Sequence, residues 1–95
     1  MLIVVTENYG NNPVIEKLKD YSNVKIQSLS LEEDFRTLLS AKNLATSGVG
    51  TFGIAAALMS KNLNNLYCTN IFLNHHLNPY MLDPNYVKVN IYNIK

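Results

Sequence analysis

Short apolar runs alternate with stretches of helical periodicity along most of the chain. Residues 2–6 form a continuous apolar run, which is typical of a strand covered on both faces. Similar runs predict strands at 24–27, 43–46 and 66–73. Between the runs, apolar residues recur at helical spacing over 13–21, 30–42 and 52–60. This alternation predicts an α/β fold with a parallel sheet.

Local signals support the predicted helices. Pro13 suits the first turn of a helix, in which Val14, Ile15 and Leu18 follow at helical spacing. Ser30 is a favourable N-cap, and Glu33 three residues later completes the pattern of a capping box. The apolar stripe expected for the second helix consists of Phe35, Leu38 and Leu39.

We therefore predict a three-layer, Rossmann-like half-domain that occupies residues 1–95 as a single, partial domain. Its mostly parallel sheet would have about four to five strands, with helices on both faces. Residues 74–84 contain two prolines and predict a loop. Residues 86–94 alternate between polar or aromatic and aliphatic side chains, which predicts an edge strand.

Composition and charge narrow the classes of function. The chain has 95 residues, is 47% hydrophobic and carries a net charge of +1, so no strong field favours nucleic acid or an anionic membrane. No apolar run is long enough for a membrane span. The single cysteine, Cys68, fits a buried structural thiol in a reducing compartment. We expect a cytoplasmic protein without a membrane span or a nucleic-acid partner.

The candidate chemistry lies in the Gly-rich stretch 47–53, between a predicted strand and a predicted helix. A turn of this kind lets backbone N–H groups approach an anion closely. The helix N-terminus adds about half a positive charge at the same place. The stretch therefore predicts a phosphate-binding turn.

The same letters spell G-x-G-x-x-G, the dinucleotide fingerprint. A dinucleotide site also needs a carboxylate about twenty residues further on for the ribose hydroxyl. No Asp or Glu occurs between Asp34 and Asp83, and the turn follows the third strand rather than the first. A nicotinamide or flavin cofactor is therefore disfavoured.

An ordered set of segments resembles the nucleotide-sugar half of GT-B glycosyltransferases. The segments are Glu33-Asp34-Phe35, Leu38-Leu39-Ser40-Ala41-Lys42-Asn43-Leu44 and Thr51-Phe52, and the likeness covers roughly residues 2–68. The pattern is most similar to that of the GDP-fucose-dependent fucosyltransferases. The resemblance implies that Asp34 binds the guanine base. It also implies that the turn binds the diphosphate through Ser47, Gly48, Gly50, Thr51 and Phe52.

The chain also departs from that family. Gly50 stands where the family usually has Ser, and the family's His-x-Arg segment is absent. The only arginine is Arg36, on a predicted helix. The resemblance thus implies a donor-binding portion that is incomplete as a catalyst alone, with catalytic residues not identified. It implies no metal or other cofactor, and a partner chain with the acceptor domain, or a homo-oligomer, would complete the enzyme.

His75 and His76 are adjacent and have no further ligand at metal-binding spacing, so a metal site there is disfavoured.

Several alternatives stay open at this point. Asp34 could instead be a carboxylate that interacts with the dipole at the start of a helix. Thr51 could be a plain N-cap residue, and Phe52 could be a core residue. The chain also fits a subunit of a split glycosyltransferase or a truncated, inactive gene product. A further alternative is a flavodoxin-like or Rossmann-like binding or interaction domain without sugar chemistry.

Overall fold

The computed structural model describes residues 1–6, 12–46, 51–70 and 77–93. The chain divides into two compact units, Met1–Asp34 and Phe35–Lys95. The predicted site residues Ser47, Gly48 and Gly50 lie outside the described residues, as do His75 and His76. In the described part of the chain, none of the helices has the length and hydrophobicity needed to cross a membrane.

The first unit contains two parallel strands and a short helix. Strand β1 (Leu2–Val5) pairs with β2 (Val24–Gln27), with Leu2 opposite Val24 and Val5 opposite Gln27. Helix α1 (Pro13–Leu18) connects them, and Asn12 caps it by accepting a hydrogen bond from the Val14 N–H at 3.0 Å. Pro13 stands in the first turn, as predicted, and the helix ends three residues before Tyr21.

The prediction that β1 is covered on both faces is wrong. Leu2 is 53% exposed and Ile3 is 43% exposed. Helix α1 contributes a single buried side chain, Ile15, and Val14 on the same helix is exposed. Because successive residues of a strand point to opposite faces, the exposure of Leu2 and Ile3 shows that neither face of β1 is fully covered at this end.

Helix α2 (Leu31–Leu39) begins in the first unit and continues into the second. Ser30 caps it, because its Oγ accepts a hydrogen bond from the Glu33 N–H at 3.1 Å and donates one to Glu33 Oε1 at 3.0 Å. The predicted N-cap is confirmed, and the Glu33 carboxylate accepts a hydrogen bond from the Ser30 hydroxyl. The stripe residues Phe35, Leu38 and Leu39 are half-buried.

The second unit is a three-stranded parallel sheet with a helix packed on it. Strands β3 (Asn43–Ala45), β4 (Asn65–Thr69) and β5 (Lys88–Tyr92) lie in that order, and α3 (Phe52–Met59) connects the first two. A short 3-10 helix (Pro79–Met81) precedes β5. The core of the unit consists of Leu44, Ile54, Ala57, Leu63, Leu66, Cys68 and Val87.

The α/β class with parallel strands is confirmed and is consistent with a Rossmann-like fold. The strands of the described residues form one hydrogen-bonded sheet of two strands, β1–β2, and one of three, β3–β4–β5. Each has fewer strands than the four to five predicted for one sheet. Periodicity in the sequence marks where a strand runs. It does not specify which strands hydrogen-bond to each other, because pairing depends on tertiary contacts.

Candidate functional site

The turn between β3 and α3 begins and ends at described residues. Thr46 directly follows β3 and extends its ladder, since its N–H donates to the Tyr67 carbonyl at 2.9 Å. Helix α3 starts at Phe52, and the Ala55 N–H donates to the Thr51 carbonyl at 2.9 Å. Both ends of the predicted phosphate-binding turn are therefore fixed by regular secondary structure.

The two ends approach each other closely at Gly53. A Cβ placed on Gly53 would stand 2.9 Å from Thr46 Cγ2, closer than carbon atoms in van der Waals contact allow. Any larger residue at position 53 would therefore force the Thr46 side chain or the first turn of α3 to shift. In the dinucleotide fingerprint, the third glycine has this same role of close helix–strand packing.

The Thr46 hydroxyl is buried without a hydrogen-bond partner. Among the described residues, every other buried side-chain nitrogen or oxygen has a hydrogen-bond partner. Leaving a buried hydroxyl unpaired costs about 1–3 kcal/mol. Such a group often marks a position where a ligand or water completes the hydrogen bonding. Thr46 is the last residue of a predicted strand and is not among the predicted site residues. The signal in the sequence is its hydroxyl at the last strand position before a Gly-rich turn.

Thr51 is the N-cap residue of α3, which agrees with its interpretation as a plain N-cap. Its φ is −90° and its ψ −10°, and its side chain makes no capping hydrogen bond. No acidic residue stands in the first turn of α3, whereas α2 has three. The first amides of any helix have no partner within the helix, and here neither a hydroxyl nor a carboxylate of the first turn compensates them.

Phe52 packs against another aromatic ring. Its ring centroid lies 5.2 Å from that of Phe35, with an interplanar angle of 64°, which is an edge-to-face contact. Phe52 is half-buried. This contact fixes the first residue of α3 against α2 and agrees with the interpretation of Phe52 as a packing residue.

Asp34 has partners close by in its own unit. Its carboxylate accepts a hydrogen bond from Gln27 Nε2 at 2.9 Å and from the Leu29 N–H at 3.2 Å, and the residue is only 7% exposed. Gln27 is likewise buried. Asp34 therefore fixes the turn from β2 into α2. Binding of a base by Asp34 stays a prediction, and Gln27 is a polar core residue that the sequence analysis did not single out.

Cys68 is confirmed as a buried thiol. It lies in β4 with a free Sγ, and burial raises the pKa of this thiol. A raised pKa keeps the group protonated near neutral pH, which disfavours a role as nucleophile. Within the described ranges, no group of three or more His, Cys, Asp or Glu side chains could hold a metal ion.

Comparisons with protein-family models, curated proteins and solved structures found no match. The resemblance to GT-B glycosyltransferases therefore depends on the sequence pattern alone. The candidate site is defined by Thr46, Thr51, Phe52 and Gly53, all in the second unit.

Proposed function

We propose that the chain binds a nucleoside diphosphate sugar and is the donor-binding portion of a GT-B-like glycosyltransferase. The diphosphate would lie at the turn between β3 and α3. The ligand of the fucosyltransferases that the chain resembles suggests a GDP-sugar such as GDP-fucose.

The unpartnered Thr46 hydroxyl is the observation that carries this proposal. Its oxygen is covered in this structure, so a phosphate oxygen would accept a hydrogen bond from it once the covering atoms move aside. The N–H groups at the start of α3 would supply further donors, since the helix has no side-chain cap there. Gly53 supports the same assignment, because its missing side chain lets the helix start lie next to the strand end.

The chemical contribution of this site would be electrostatic. When the bond to the sugar breaks, the terminal phosphate of the departing nucleoside diphosphate gains an additional negative charge. Hydrogen-bond donors already held in place by β3 and α3 would stabilise that charge as it develops. No general base is assigned, so a partner chain with the acceptor domain, or another copy of this chain, would complete the enzyme. A subunit of a split glycosyltransferase fits this proposal.

A second candidate function is supported by the Gly53–Thr46 approach. The same packing occurs in Rossmann-like domains that bind a dinucleotide through its pyrophosphate. Such a protein would be a binding domain without sugar chemistry. Both candidates share recognition of a diphosphate, and they differ in the group that the diphosphate carries.

Calorimetric titration with GDP-fucose, GDP, NAD and inorganic pyrophosphate tests both candidates. We expect GDP-fucose and GDP to bind with a dissociation constant below about 1 mM, and NAD to bind more weakly. Stronger binding of NAD than of GDP would favour the dinucleotide alternative. If a folded sample binds none of the four ligands at about 1 mM, the diphosphate site is wrong.

A further inference from the structure

The three-stranded sheet has one apolar face and one face of amides and tyrosines. Successive side chains of a strand point to opposite faces, and the register places Asn43 beside Asn65 and Tyr67 beside Asn90. We call the second face the Asn–Tyr face and define it by Asn43, Asn65, Tyr67, Asn90 and Tyr92. The opposite face carries the core residues Leu44, Leu66 and Cys68.

Side chains on the Asn–Tyr face are organised by contacts with each other and with the strands. Asn65 Nδ2 donates to Asn43 Oδ1 at 2.8 Å, and Asn90 Nδ2 donates to the Leu66 carbonyl at 3.3 Å. The rings of Tyr67 and Tyr92 stack with centroids 6.3 Å apart and an interplanar angle of 23°. Tyr92 is 60% exposed, so one ring of the pair is open to a ligand.

These contacts use only part of the hydrogen-bonding capacity of the amides. Each Asn side chain has two N–H donors and a carbonyl acceptor. Among the described residues, Asn65 Oδ1, Asn90 Oδ1 and Asn43 Nδ2 have no further partner. These acceptors and this donor share one face with the stacked aromatic pair: Asn90 lies beside Tyr67, and Asn43 and Asn65 lie four residues, roughly 13 Å, before the level of Tyr92 along the strands.

The composition of the Asn–Tyr face decides what kind of occupant fits it. Parallel sheets are usually covered on both faces by apolar helices. An apolar helix here would bury the amides of Asn65 and Asn90 with unpaired polar atoms, which is unfavourable. Among the described residues of the three strands, this face carries no carboxylate, and its one charged side chain is Lys88, which lies opposite Asn65. A neutral ligand that presents both hydroxyls and an apolar surface fits best.

We propose that the Asn–Tyr face binds a neutral saccharide. The C–H face of one sugar ring packs on the exposed ring of Tyr92, and its hydroxyls exchange hydrogen bonds with Asn90. A further ring of the same oligosaccharide, along the strands, exchanges hydrogen bonds with Asn43 and Asn65. This site goes beyond the proposed diphosphate site and does not depend on it, because the residues of the two sites are different.

Amide chemical-shift titration with maltotetraose, cellotetraose and chitotetraose tests this site. We expect saturable shifts in the side-chain amides of Asn43, Asn65 and Asn90 with at least one of the three sugars. Tyr92→Ala should weaken binding about tenfold, the loss of one aromatic contact. Tyr86→Ala should leave affinity unchanged, because Tyr86 is 78% exposed and outside the Asn–Tyr face.

Asn43→Ala provides a second variant, since Asn43 is exposed and its replacement does not disturb the core. It should weaken binding several-fold and lower thermal stability only slightly, through loss of the exposed Asn65–Asn43 hydrogen bond. The proposal is overturned if the folded protein shows no saturable shifts at about 10 mM of any of the sugars. It is also overturned if sedimentation shows a dimer that Tyr92→Ala dissociates while no sugar binds, because a second copy would then occupy the face. GDP titration of the same samples reports on the diphosphate site separately.

Discussion

Asp34 Oδ1 accepts a hydrogen bond from Gln27 Nε2 at 2.9 Å, which joins the last residue of β2 to the first turn of α2. Both residues are buried, and the same carboxylate also accepts from the Leu29 N–H. A buried carboxylate with donors on the strand and on the turn is a structural contact before it is a ligand site.

Removal of the Asp34 carboxylate should therefore destabilise the protein. We expect Asp34→Ala to lower the free energy of unfolding by about 1–3 kcal/mol, because it leaves the Gln27 amide and the Leu29 N–H without their acceptor. Urea denaturation measures the change. Asp20→Ala is the matched control, since Asp20 is exposed, and should change stability by less than about 0.5 kcal/mol. Equal losses in the two variants would show that the Gln27–Asp34 contact contributes little.

A methyl group at Gly53 should separate α3 from the end of β3. We expect Gly53→Ala to lower the free energy of unfolding by about 1–3 kcal/mol through overpacking against Thr46 Cγ2. This loss should exceed the gain of about 1 kcal/mol in helix propensity. Thr46→Ser removes Cγ2 and should restore most of the stability when combined with Gly53→Ala. Additive effects of the two substitutions in thermal denaturation would argue against the close approach.

Replacement of the Thr46 hydroxyl should affect stability and ligand binding in opposite directions. Thr46→Val removes a buried, unpartnered hydroxyl, so the free protein should keep its stability or gain up to about 1 kcal/mol. Binding of GDP-fucose should weaken about tenfold or more, because a hydrogen bond to a charged phosphate is lost. Calorimetry and urea denaturation on the same samples measure both quantities.

Two further variants separate the Thr46 hydroxyl from general effects on the protein. Thr46→Ser keeps the hydroxyl and should keep the affinity. Thr37→Val, on α2, should leave affinity unchanged. Destabilisation by Thr46→Val without any loss of affinity would indicate that the hydroxyl serves the free protein instead.

The buried thiol of Cys68 should give stability a specific dependence on alkaline pH. Burial raises the pKa of Cys68 in the folded protein above its value in the unfolded chain. The resulting stabilisation is fully present below the pKa of the unfolded thiol and is lost as the pH rises towards the folded pKa. We expect the free energy of unfolding to fall over this alkaline range.

Cys68→Ala is the control for that pH dependence. The substitution should lower the free energy of unfolding at all pH values, because it leaves a cavity. The variant should not show the part of the alkaline decrease in this free energy that is assigned to the thiol. Urea denaturation of both proteins at several alkaline pH values gives the comparison. Identical pH profiles would exclude Cys68 as the source.

Local chemistry in the sequence was sufficient to predict most elements of the fold. Ser30 followed by Glu33 identified the start of α2, since a hydroxyl and a carboxylate at that spacing cap a helix in any context. Pro13 placed the start of α1 because its fixed φ suits a first helical turn. Alternating apolar runs and helical stretches predicted the α/β class, and the structure confirms it.

Contacts between residues distant in sequence required the tertiary structure. Whether β1 is covered depends on how much apolar surface α1 can bury, and a strand-like run of letters does not contain that information. Pairing of the strands in sheets of two and three, the approach of Gly53 to Thr46, and the Asn–Tyr face arise from register and packing across the chain. Sequence alone thus determined the local conformations, because short-range sterics and hydrogen bonds set them. Only the tertiary structure decided which side chains become buried, paired or left without a partner.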